Sequence, residues 1–196
     1  MPPRERLPVA LVRLERAWRL ARAPIVPYLA PGLSPATVEE ALATVGLEPV
    51  SELVTWFGWH NGTTGNSGLG HETESLDSGV FLQSLDECLE LYRRAIEMTE
   101  DFASSGLDPS EFYPAPAFPI TRHLGPYLDA VLCDPAQGGH TWFVPWDGEA
   151  EPNGPHLADL VERVAFRWKV GVTRWRGDSW AQRDEALLGI GPDTPW

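Results

Sequence analysis

The sequence predicts an α+β fold. Apolar residues recur at three- and four-residue steps through the first half, and the pattern changes to short extended runs in the second. An apolar fraction of 43% with nine tryptophans over 196 residues also predicts a chain with a core of its own.

Residues 5–22 predict an amphipathic helix with Leu7, Leu11, Leu14, Trp18 and Ala21 on one side and arginines elsewhere. Pro24 and Pro27 stop it. A single helix of this kind usually covers its own protein's core; a membrane surface or a partner are the alternatives. Ser34, Pro35 and Gly46 supply the cap, first-turn and stop signals of a second helix, striped by Ala36, Val38, Ala41, Leu42 and Val45. A third runs from about Pro49 to Trp59, turns Val50, Leu53, Val54, Phe57 and Trp56 inward, and stops at His60-Asn61-Gly62. Residues 61–80 read as a polar, Gly-rich loop without a phosphate-cradling pattern. Val80 to Gln83 suits a short strand. Ser84 and Glu87 then form a capping box that opens a helix to about Thr99, with Leu85, Cys88, Leu89, Tyr92, Ile96 and Met98 on its apolar side.

Phe118-Pro119-Ile120 is a short extended piece. Tyr127–Asp134 and Thr141–Trp146 predict an antiparallel hairpin across the turn at 135–139. Asn153-Gly154-Pro155 introduces a helix to about Lys169, and Val172–Trp175 with Trp180–Gln182 suggest a second, small hairpin.

Charge is distributed unevenly within the net of −13. Six arginines lie in the first 22 residues, whereas Ala23 to Tyr92 holds ten acids and no Lys or Arg. That argues against DNA or RNA as a direct ligand, which needs clustered cations, and suits a basic protein partner. Acidity that serves only solubility is the plain alternative. No apolar run of about 18 residues predicts membrane insertion, and no secretory pattern opens the chain, so a cytoplasmic location is expected. Cys88 and Cys133 read as reduced, partly buried small hydrophobes.

Few residues invite chemistry. His60 ends a helix beside a Gly-rich loop, but no nucleophile or second base sits at a recognised spacing. Asp129 and Asp134 are an odd separation apart on one strand and face opposite ways. His71, Glu72 and Glu74 lack a metal-site spacing. No catalytic residue, metal or cofactor is therefore expected. Trp56, Phe57 and Trp59 suit either a core or a binding platform, with at least two of the three expected buried. Trp175, Trp180 and Trp196 form a second candidate contact surface.

The segment PVSELVTWFGWHNG, residues 49–62, resembles the signature of the SUKH superfamily of the Smi/Knr type: a proline, a short helix and an aromatic end reading W-H-N-G. Further pieces follow in that family's order: Phe81 to Glu87, Phe118-Pro119-Ile120, Tyr127-Leu128 to Asp134, Val144 to Gly148, and His156 to Val164. The resemblance spans roughly residues 33–170. It implies a bent antiparallel sheet packed with several helices, and structural roles for the motif residues Trp56, Trp59, His60, Asn61, Gly62 and Asp134. It also implies a non-enzymatic protein-binding role. Bacterial members look like immunity proteins that neutralise toxins by direct binding, and fungal members like regulators of cell-wall assembly. The near-absence of lysine, with high Ala, Pro and Gly, favours the bacterial type. The expectation is an immunity-type protein that holds a basic toxin domain against Glu39, Glu40, Glu72, Glu74 and Asp77. A regulatory scaffold is the alternative, and a small hydrolase using His60 a distant one. The expected layout is a helical extension over 1–30, the SUKH-like domain over 31–170 and a Trp-rich tail over 171–196.

Overall fold

The computed structural model describes residues 3–65, 75–77, 79–114, 116–125, 127–134, 139–145, 148–177 and 179–182. Among them are six α-helices and nine strands, and the strands form three antiparallel sheets. The fold is α+β.

Helix α1 (Pro3–Ala21) packs along α6 (Leu157–Val170). The two run parallel: Arg6 meets Asp159 near their starts, and Trp18 and Trp168 both donate to the carbonyl of Leu76 near their ends, at 3.2 and 3.0 Å. Leu7, Leu11, Leu14 and Trp18 of α1 are at most 2% exposed and belong to the main core. Burial of each such side chain contributes roughly 1.5–3 kcal/mol. The N-terminal helix thus covers this protein's own core. It stops before either proline, because Arg22 takes a left-handed φ of 54° and Ala23 N–H reaches back to Trp18 O at 2.8 Å.

Helix α2 (Pro35–Ala43) opens on Ser34, whose hydroxyl accepts from Thr37 N–H. Helix α3 (Ser51–Trp59) starts two residues later than its sequence suggests, with Val50 still extended. Helix α4 (Leu85–Ser104) carries the expected capping box but runs past Thr99. Its stop is Gly106, left-handed at φ 81°, with Leu107 N–H bonded to Phe102 O. Helix α5 (Pro109–Phe112) is a single turn capped by Asp108.

Strands β1 (Ser75–Asp77), β2 (Val80–Leu82) and β4 (Thr121–His123) form one sheet, in that order. Strands β3 (Ala117–Pro119), β5 (Tyr127–Leu132), β6 (Thr141–Pro145) and β7 (Glu151–Gly154) form the second. Only Ile120 separates β3 from β4, and its N–H donates to Asp129 O at 2.8 Å, so one bent stretch of chain serves both sheets. The predicted hairpin pairs Tyr127 with Pro145 through Val131 with Thr141. Strands β8 (Thr173–Trp175) and β9 (Trp180–Gln182) form the small second hairpin, and Trp180 packs on Trp168 at 5.4 Å between ring centroids. Cys88 and Cys133 are free and buried. Burial pushes the Cys133 thiol up to about 12.

Candidate partner-binding surface

The W-H-N-G segment lies where α3 meets α1 and α4. Trp56 is fully buried, and half-buried Trp59 stacks on Trp18 with centroids 5.7 Å apart. The Trp59 indole donates to Glu15 Oε1 at 2.7 Å. His60 lies 2.7 Å through Nδ1 from Ala30 O and 3.1 Å through Nε2 from Glu15 Oε1. Asn61 Oδ1 accepts from Leu85 N–H at 2.7 Å and so caps α4 from outside. Gly62 has a φ of 73°, and a Cβ there would fall 2.5 Å from Ser84 N, so no side chain fits. Each polar atom of this segment that would tempt a catalytic reading holds two elements together.

Glu15 is the hub of that contact. Burial acts to raise its carboxyl, but hydrogen bonds from Trp59, Arg19 and His60 outweigh it and hold the group below the usual carboxylate range.

Asp129 and Asp134 do not form a dyad. Asp129 is 3% exposed and accepts from Thr121 Oγ1 at 2.7 Å and Asn153 Nδ2 at 2.9 Å, with His123 Nε2 also at 2.9 Å. Arg163 in turn donates to Asn153 at 2.7 Å. Asp134 is half-buried at the end of β5. The sequence did not reveal this network, because the packing of β4 against β5 and the pairing of β6 with β7 bring its members together. The arrangement fixes the His123 ring and ties the edge strand β7 to the sheet.

The acidic residues divide into three groups. Glu39 and Glu40 are exposed on α2, which packs on α3 and α4. Asp86, Glu87 and Glu90 are exposed on the first turns of α4, which packs on α2. Glu72 and Glu74 lie outside the described residues, as do His71 and Trp196. Asp77 corrects the sequence expectation: it is 5% exposed and cannot serve an open face. Its carboxylate accepts from Thr173 Oγ1 at 2.6 Å and lies 3.3 Å from Arg167 Nε. The reason is that residues 75–77 form a buried strand, where the sequence reads as loop. No family model matches the chain, and no curated protein matches it.

With those side chains committed inside, α2 and the first turn of α4 present exposed carboxylates. Glu39, Glu40 and Asp86 have no ion-pair partner among the described residues, while Glu90 is paired with Arg94 at 2.7 Å. Trp175 and Trp180, the other expected contact surface, pack on each other at 5.3 Å and on α6 through Trp168. None of the helices among the described residues is long and apolar enough to cross a membrane.

Proposed function

We propose that the chain is a SUKH-type binding protein of the immunity class, which neutralises a basic toxin domain by direct contact with the acidic α2–α4 surface. The observation that carries this reading is the use of the W-H-N-G segment. His60, Asn61 and Trp59 are spent on Glu15, Ala30 and Leu85, while Glu39, Glu40 and Asp86 stay exposed, without an ion-pair partner among the described residues. An exposed field of one sign steers an oppositely charged partner and speeds its association. The test is affinity capture by the immobilised chain at low and high salt, repeated with Glu39→Lys/Glu40→Lys/Asp86→Lys. The expected result is one stoichiometric basic protein, weakened by salt and lost on charge reversal. Retention indifferent to the reversal would remove this face, and capture of several unrelated proteins would favour a scaffold.

A further inference from the structure

The groove between α1 and α6 is a second charged surface, of the opposite sign. Its cavity is about 400 Å³. Ala17 and Ala165 form a floor, 9% and 7% exposed, and Leu20 rises beside it at 76% exposure. Arg13, Arg16 and Lys169 stand on the rims. The one acid among the lining residues, Glu162, is already engaged by Arg6 at 3.0 Å and by Arg13 at 3.7 Å. Arg16 and Lys169 are exposed and have no ion-pair partner among the described residues.

We propose that this groove docks an acidic amphipathic helix from a partner chain. Two parallel helices with an apolar seam offer the site of a third, whose own apolar stripe would cover Ala17, Leu20 and Ala165. The exposed cations at Arg16 and Lys169 then call for carboxylates on either side of that stripe. From Arg13 to Leu20 the groove runs about 10 Å, or two helical turns, so two apolar anchors suffice.

The test uses the full chain and a fluorescent helical peptide of about four turns, with a leucine stripe flanked by glutamates. A scrambled peptide and a lysine-flanked peptide serve as controls. The glutamate peptide should bind, salt should weaken it, and Arg16→Glu/Lys169→Glu should weaken it by about tenfold or more. Leu20→Ser should weaken it without changing the salt dependence. Both sets of positions are exposed, and an unchanged melting temperature confirms that the variants fold. Equal affinity for wild type and variants, or equal affinity for the scrambled peptide, overturns the proposal. So does charge-reversal-sensitive sedimentation with phosphatidylserine vesicles in the absence of peptide binding, which would make the groove's rim a lipid contact. A rise in peptide affinity on Asp184→Lys/Glu185→Lys overturns it in favour of the chain's own C-terminal residues as the occupant.

Discussion

On α1, three arginines spend charge inside the molecule: Arg6 on Asp159 and Glu162, Arg13 on Glu162, and Arg19 on Glu15 at 3.1 Å. On α2, Glu39 and Glu40 have no ion-pair partner among the described residues. The arginine-rich helix is therefore anchored twice, by its apolar face and by the ion pairs of Arg6 and Arg13 to α6, and part of its formal charge is engaged within the fold. The acidic helix is held by Val38 and Leu42, with Ala41 packed beside them, and its carboxylates are exposed. Formal charge along a sequence thus says less about binding than the share of it left unneutralised by the fold.

If α1 is a structural element and α2 a surface one, their substitutions must separate on stability. Trp18→Ala is expected to cost about 3–5 kcal/mol, read from urea denaturation, because it removes a fully buried ring, its stack on Trp59 and the donor to Leu76 O. A loss below about 1 kcal/mol, within the range of ordinary surface changes, would mean that α1 is an appendage. Asp77→Ala should follow at about 2–3 kcal/mol, since it removes the buried carboxylate that accepts from Thr173 Oγ1 and faces Arg167 Nε. A near-neutral outcome would return Asp77 to the surface.

The periodic and punctuated elements were legible from the residues. Ser34-Pro35 and Ser84 to Glu87 announce α2 and α4, because caps are local chemistry. The paired runs 127–132 and 141–145 announce their hairpin by alternation and composition. Strand β7 was not legible, since Glu151-Pro152-Asn153-Gly154 has no strand character and is extended only because β6 lies beside it. The burial of Asp77 was hidden for the same reason: Arg167 and Thr173 come to it from about ninety residues away. The α1–α6 groove is likewise made by two helices at opposite ends of the chain. The His60 contacts were half legible, for the helix end is readable but Glu15 as its partner is not.

Glu15 gives the comparison a pH axis. Its carboxyl is held below the ordinary value of 4.5, so the stability it supplies is fully present above that value and is lost as pH falls through its folded value. Glu15→Gln should flatten that part of the acid limb while lowering stability at neutral pH, by denaturant titration at several pH values. Identical acid limbs for wild type and Glu15→Gln would show that the carboxylate does not link α1 to α3.

Arg22→Gly sharpens the account of how α1 ends. A non-glycine residue at φ 54° carries strain of roughly 1 kcal/mol that glycine lacks. The substitution should raise the melting temperature by about 2–4 °C. A decrease would mean that the arginine side chain contributes more than the backbone strain costs.

The smallest stability effect belongs to the acidic face and carries the most functional information. Glu39→Lys/Glu40→Lys changes two exposed side chains with no ion-pair partner among the described residues, so stability should move by no more than about 0.5 kcal/mol. Relief of like-charge repulsion favours a slight gain. Association with a basic partner should nevertheless slow by about tenfold at low salt and converge with wild type at high salt. The two readouts come apart only if charge on α2 serves encounter and not folding. A variant that loses stability and partner together would place α2 in the structural class with α1, and the division between the two surfaces would fail.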